Sequence, residues 1–393
     1  MAERYVTKDY SDDLIGFYRS TIRVRSYSDE EGDVAKMLVE KMKGLRYDNA
    51  YIDPAGNVVG RVGDGPCVIH FDSHMDNVQV NDPENWDAPP FSADLLDGYV
   101  YGRGSVDMKG GLTASIYAAA LAKKLGLLDG KSVYVTGSVC EEYCDGVCLE
   151  HFYKDSGVKP DYCIICEPSD NLITLGHTGK VQARIKTHGV SAHGSAPDKG
   201  INAVYEMAEI ISRVEALNAA LTERRNSGET AGTIALTHIS CKTASLNAVP
   251  EECEIYLDRR LRLGESVAQV KEELESLIAG KRATWEPGTL IHTSWTGTEL
   301  VYEPAHDPWK IADDAPLTLA CNAAYAAAFG EVPSKYDFWD FGTNAVVPVG
   351  MGVPTIGFGP GEYKLAHMTN ERCLPEKVAD ACEFYTHLIE ALQ

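Results

Sequence analysis

CVIHFDSH (residues 67–74), SVYVTGSV (132–139) and DYCIICE (161–167) decide the fold. Each is a short apolar run rich in β-branched residues, the kind that fills a strand buried on both faces. Between the first two, Gly111 to Leu125 is a run of small residues that reads as a helix, and a second helical stretch lies near 147–155. VVGRV (58–62) adds a further strand ahead of them. Strand–helix–strand alternation predicts an α/β fold with a mostly parallel sheet flanked by helices. Upstream, Ser28 and Glu31 read as a capping box that opens a helix through Val34, Met37, Leu38 and Met42 and stops at Lys43-Gly44.

Past Lys180 the rhythm changes. KVQARIKTHG (180–189) reads as a strand, Asn202 to Leu217 as a helix, and TIALTHISC (233–241) and ECEIYLDRRL (252–261) as alternating strands. Ser266 to Ile278 is an amphipathic helix and ATWEPGTLIHTSW (283–295) a strand. That order, βαββαβ, is a split ferredoxin-like unit able to fold by itself. The Ala-rich helix 315–329, the strand TIGFG (355–359) and the helix Pro375–Leu392 then resume the first pattern. The expected organisation is a larger domain made of 1–179 and 295–393, interrupted by a small domain over 180–294.

Composition agrees with this and removes several functions. A chain of 393 residues is too long for one ordinary core. Lys and Arg number 36 against 58 Asp and Glu, a net charge of −22, which disfavours nucleic acid or an anionic membrane as partner. MAERYVTKDYSDDLIGF has no apolar core of signal-peptide type, and the longest small and apolar stretch, Gly111 to Ala122, is too short to span a bilayer. Eleven scattered cysteines read as reduced thiols of a cytoplasmic protein. Cys163 and Cys166 lie on opposite faces of one strand and read as core thiols, and Cys140, Cys144 and Cys148 as packing around the acidic pair beside them.

The chemistry gathers at strand ends. Asp72, His74 and Asp76 alternate where CVIHF runs out, and ligands in open α/β sheets collect at that edge. YGRGSVDMKGG (101–111) sets Asp107 among glycines before a small-residue helix. It is no dinucleotide fingerprint, because Asp107 and Met108 stand where glycine and helix should begin. GLLDGKS (126–132) has three residues before Gly-Lys, not four, and falls between helix and strand, so it is no phosphate loop. Glu141 and Glu142 follow SVYVTGSV, and as neighbours at a strand end they point apart, so one can bind metal while the other acts as general base. Glu167 closes DYCIIC, and His367 lies in LAHMTNE behind the glycine-rich GFGPGE (357–362). Imidazole with carboxylate suits zinc, cobalt or manganese, and a bridging carboxylate suits a pair of ions.

In order along the chain, SHMDNV, YGRGSVDMKGG, the Glu pair, CEPS, SAHGSAP, LNAVPEECEIYLDRR, FGTNA and AHMTNE resemble the di-zinc amidohydrolases. That family includes acetylornithine deacetylase, succinyl-diaminopimelate desuccinylase, glutamate carboxypeptidase and bacterial dipeptidases. EEYCDGVC followed by CEPSDNLITLGHTGK is most similar to its YgeY-like, selenium-metabolism-linked branch. The resemblance implies that His74 and Glu167 bind one metal, Glu142 and His367 a second, and that Asp107 bridges them. It makes Glu141 the general base and Asp76 the group that orients His74. His193 would polarise the scissile carbonyl, and Asn247 and Arg260 would contact the substrate carboxylate. Arg260 is expected in that role rather than Arg259, which should face the other way on its strand. Gly342, Thr343 and Asn344 form the loop that holds the substrate's terminus, although Asn344 departs from the usual Gly-Thr-Asp. The resemblance also implies a cis peptide at Asp107–Met108 and a homodimer through the inserted lid domain, with His193 serving the partner's site.

The function this implies is hydrolysis of an amide bond in an N-acyl amino acid, short peptide or related small amide. Metal-bound hydroxide would attack while Glu141 moves the proton. A ureido hydrolase of nitrogen catabolism and a silent binding protein on the same fold are the alternatives. Of the remaining histidines, His70, His177, His188, His238, His292 and His306 show no partner pattern, and His177 alone stands near enough in sequence to Glu167 to be a substrate contact.

Overall fold

A computed structural model describes residues 4–393. Its larger sheet has nine strands, seven of which run in the spatial order Asn49–Ile52, Val58–Gly63, Lys131–Ser138, Cys67–His74, Tyr162–Ile165, Thr355–Gly357 and Thr174–His177. Trp309–Lys310 and Asp337–Trp339 pair with the last of these. The four strands from Lys131–Ser138 to Thr355–Gly357 are parallel, and antiparallel strands flank them. Successive residues serve opposite faces: Val58 belongs to the main core, while Val59 packs with Leu149, Phe152 and Tyr153 of the helix Val147–Ser156. Both faces are therefore covered, as the continuous apolar strands require.

The helix Lys109–Leu125 is buried along almost its whole length and ends at Gly126 with φ 75°, a left-handed cap that glycine adopts without strain. Its glycines set the closeness of the packing. A Cβ on Gly111 would stand 2.1 Å from the carbonyl oxygen of Cys166, so this turn lies directly on the strand end that carries Glu167. Helix Pro375–Ala391 packs beside it. The peptide Asp107–Met108 is cis.

The second sheet is antiparallel, in the order Thr233–Lys242, Glu252–Leu261, Gly179–His188, Ala283–Pro287, with Ala305–His306 also on Gly179–His188. With the helices Ala203–Asn226 and Val267–Ile278 it follows the βαββαβ order and buries its own core. Cys253, Ile255, Leu257 and Leu261 alternate into that core. Arg259 points the same way and is held there by Glu265 and Glu273, whereas Arg260 faces the other side of the sheet. Thr233–Lys242 is paired on one side only and leaves an exposed edge.

Two expectations are corrected. The run 283–295 is not one strand: pairing with Gly179–His188 stops at Pro287, and Leu290–Thr293 forms a separate hairpin with Glu299–Tyr302. Pro287-Gly288 breaks the ladder, and Leu290, Trp295, Leu300 and Tyr302 go to the larger core. Ser28 and Glu31 form no capping box. The helix Gly32–Gly44 starts at Glu31 without a side-chain cap, and both side chains turn inward toward the acidic cluster. The helix Lys8–Arg23, capped by Thr7, was not signalled by the pattern. The Ser266–Gln269 capping box does form.

Candidate metal centre

At the carboxyl edge of the parallel strands, Cys67–His74, Lys131–Ser138 and Tyr162–Ile165, or the turns after them, contribute His74 and Asp76, Glu141 and Glu142, and Glu167, and loops bring Asp107 and His367. His74 ends its strand with the ring fully buried. Its Nδ1–H donates to the Asp76 carbonyl oxygen at 2.9 Å, which leaves Nε2 free to face the cluster. The Asp76 carboxylate stands 3.5 Å from Nδ1, so the backbone carbonyl rather than the expected carboxylate fixes the ring. That carboxylate instead accepts from Ser28 Oγ at 2.7 Å and from the amides of Glu141 and Glu142 at 3.1 and 3.2 Å. It shapes the turn carrying both glutamates. Glu31 reinforces the turn by accepting the Cys140 amide at 2.9 Å.

Asp107 is the centre of the arrangement. Its Oδ1 is 2.8 Å from His74 Nε2 and its Oδ2 is 3.2 Å from His367 Nε2. Glu142 lies 3.1 Å from His367 Nε2, and Glu167 3.7 Å from His74 Nε2. Two sets of ligand atoms, His74 with Glu141 and Glu167 and His74 with Asp107 and Glu142, each fall within 4.8 Å. Glu371 accepts the amides of Val106 and Asp107 at 2.8 and 3.1 Å and pairs with Arg103 at 2.6 Å. Arg103 in turn donates to the His367 carbonyl at 3.3 Å. One buried ion pair thus ties the Asp107 turn to the His367 loop.

Negative charge is in excess here. Burial, then Asp107, pushes Glu142 up to about 7. Burial, then Asp107 and Glu142, raises Glu167 well above the carboxylate range, and burial followed by Glu167 and Asp145 does the same to Glu141 against the pull of His74. Burial opposes a charge on His74, but Glu167, Asp107 and Asp76 outweigh it and raise its imidazole. Hydrogen bonds to Asp107 and Glu142 carry His367 to about 10. Burial likewise works against ionised Asp107, and the two imidazoles more than reverse that. Glu141, Glu142 and Glu167, crowded around an ionised Asp107, are all raised, and divalent cations are the natural counter-charge. The donor set, imidazole nitrogen and carboxylate oxygen, fits zinc, cobalt or manganese.

The cleft over this cluster has a volume of about 270 Å³ and is lined by Asp107, Glu141, Glu142, Glu167 and His367, with Asp145, Lys180, Arg260 and Gly342 among its other walls. Seven expected residues, His74, Asp76, Asp107, Glu141, Glu142, Glu167 and His367, come together, and Arg260 and Gly342 reach the same cleft. Thr343 and Asn344 do not. Both are buried: Thr343 Oγ1 accepts the Ala345 amide, and Asn344 bonds the Gly146 amide at 2.6 Å and Asp72 at 2.9 Å. Asn344 thus spends both ends of its amide on structural bonds that fix the end of the Cys67–His74 strand. His193 and Asn247 sit together in exposed loops of the small domain, away from the cleft walls, with His193 Nδ1 2.7 Å from Ser195 Oγ. His177 is fully buried, its Nδ1–H donating to the Thr178 carbonyl, and is not at the cleft surface. Cys140, Cys144 and Cys148 are buried, as packing requires, and no cysteine among the described residues is in a disulfide. Sequence reasoning missed Glu31, Glu371, Asp145 and Lys180. Asp145 and Lys180 carried a faint signal as charges three and thirteen residues after the assigned Glu142 and Glu167.

A carboxylate that faces two imidazoles, with three glutamates around it at the carboxyl edge of an α/β sheet, is a donor set suited to divalent ions, and the family matched by this chain is that of metal-dependent hydrolases of amide bonds that use two of them. The chain belongs to peptidase family M20/M25/M40, whose profile matches residues 70–391. It is 35% identical over 381 residues to the uncharacterized protein YgeY of Escherichia coli (strain K12), covering 96% of this chain and 94% of that one. It is 27% identical over 292 residues to succinyl-diaminopimelate desuccinylase 2 of Shewanella loihica, covering 69% and 76%. The fold matches the Bacillus subtilis YXEP protein, a dinuclear metal-binding peptidase of the M20 family, with TM-score 0.69 at 15% identity over 98% of both chains. No helix among the described residues is long and apolar enough to cross a membrane.

Proposed function

We propose that the cleft hydrolyses the amide of an N-acyl amino acid or short peptide, with His74 and Glu167 holding one zinc ion, Glu142 and His367 the other, and Asp107 between them. The observation that carries the assignment is Asp107 itself, whose two oxygens face two different imidazoles at 2.8 and 3.2 Å. When bound, the ions polarise the carbonyl and lower the pKa of water. The chain does the rest. Glu141, buried and raised above the carboxylate range, takes the proton of the attacking water and returns it to the leaving nitrogen. Arg260, whose Nε and Nη2 hold Asp258, binds the substrate carboxylate with its remaining Nη N–H groups.

The same reading divides the chain at 180–294 into a lid and dimerisation domain and places the protein in the cytoplasm, which the free thiols support. His193 then acts across a two-fold interface, where the exposed edge strand Thr233–Lys242 supplies the pairing surface. Mixing His193→Ala with Glu141→Ala tests this: active heterodimers are expected, and no recovery after demonstrated subunit exchange contradicts it. A panel of N-acetyl, N-succinyl and N-carbamoyl amino acids and dipeptides, with and without chelator, tests the reaction. Chelator-sensitive cleavage of one class is expected; cleavage of none by protein loaded with two ions refutes the assignment.

A further inference from the structure

The two cations of the cleft wall are direct neighbours. Arg260 and Lys180 stand opposite each other in the antiparallel pair of Glu252–Leu261 with Gly179–His188. Their Cβ atoms are therefore about 5 Å apart on one face of the sheet. Both line the cleft that contains Asp107, Glu141, Glu142 and Glu167.

Each cation is braced by its own acid. Arg260 donates to Asp258 from Nε at 2.7 Å and from Nη2 at 2.9 Å, and Gln182 steadies Asp258 at 2.9 Å. Lys180 donates to Asp145 at 2.6 Å and lies over the Tyr302 ring, 5.3 Å from its centroid. Lys180 is buried, and among the described residues Asp145 is the one hydrogen-bond acceptor of its three N–H groups. Like charges opposed across a strand pair repel. Two of them, each held by one acid, with N–H groups to spare and a cleft in common, make a cradle for an anion.

We propose that Lys180 is a specificity-determining residue that binds the substrate carboxylate together with Arg260, which narrows the substrates to amides whose amine portion keeps a free carboxylate. This rests on the proposed amide-hydrolase reading. Arg260, whose Nε and Nη2 hold Asp258, offers its remaining Nη N–H groups, and Lys180, held by Asp145, a second point charge beside it.

The test uses metal-loaded protein and the amide substrate that the panel identifies, as free acid and as C-terminal carboxamide. Wild type, Lys180→Met and Lys180→Arg are compared, and calorimetric titration of the product amino acid and its carboxamide gives a readout independent of turnover. Lys180→Met is expected to lose at least about tenfold in KM and in Kd for the acid, the range of one charge-assisted hydrogen bond, with the carboxamide unchanged within about twofold. Lys180→Arg should recover most of the loss. If Lys180→Met weakens acid and carboxamide equally, or neither, the cradle is wrong. If no amide is cleaved by loaded wild type, the proposed function fails, while calorimetric titration of the panel's N-acetyl amino acids against their carboxamides still decides the cradle.

Discussion

Asp107 is kept facing two imidazoles by groups that never reach the substrate. Glu371 holds its amide and that of Val106, and Arg103 holds Glu371. Replacing Glu371 by Gln keeps the shape but removes the charge that Arg103 pairs with. Metal affinity should fall about 10–100-fold, the usual cost of losing an outer-sphere partner, as read by chelator titration; unchanged affinity would show that the turn holds itself. Protons compete with the ions, and the sign follows from Glu142 at about 7 and His367 at about 10. Binding needs Glu142 ionised and His367 neutral, so affinity should rise with pH across that interval and fall toward pH 6. A flat profile would mean that these two side chains are not ligands. His74, Glu141, Glu142 and Glu167 were legible because each follows an apolar run that reads as a strand, whereas Asp107 and His367 stand in or behind glycine-rich segments and were placed by the resemblance. Glu371, Asp145 and Lys180 were not, because their roles come from chain segments that approach only in the folded molecule.

Elements show where pattern reading stops. Ser28 and Glu31 have the spacing of a capping box, and the local rule is sound at Ser266–Gln269. At 28–31 a buried carboxylate, Asp76, and the Cys140 amide compete for the same side chains and win, because an unsatisfied buried group costs more than an uncapped helix end. The strand expected over 283–295 fails for a reason that was visible, the Pro287-Gly288 pair. The helix Lys109–Leu125 was legible from its small residues, and their purpose is now plain. Gly111→Ala would drive a methyl to 2.1 Å from the Cys166 carbonyl, beside Glu167. We expect a loss of about 1–3 kcal/mol in denaturant unfolding, as for other overpacked sites, with weaker metal binding. Wild-type stability in that variant would mean that the helix can slide away at no cost.

Over the whole molecule, the two cores and the order βαββαβ were readable from periodicity alone, whereas the closure of the chain ends was not. Glu383, buried on the C-terminal helix, accepts the amides of Tyr5 and Val6 at 2.9 and 2.7 Å and bonds His387 at 3.1 Å. Burial by itself would raise its carboxyl, but these bonds more than reverse that and hold it below the usual value of 4.5. A depressed folded pKa means stability that is present above about 4.5 and lost as pH falls below it. Glu383→Gln should therefore lower the melting temperature at pH 7 and flatten the acid limb; an unchanged acid limb would show that the tether is weak. The central claim is nevertheless about the cleft, where Glu141 moves protons and its neighbours hold the ions. Its most direct test is elemental analysis and turnover on one preparation of Glu141→Ala. The account predicts two divalent ions per chain with turnover reduced about 10²–10⁴-fold, the usual worth of a general base. Normal turnover, or loss of the ions along with the activity, would contradict it.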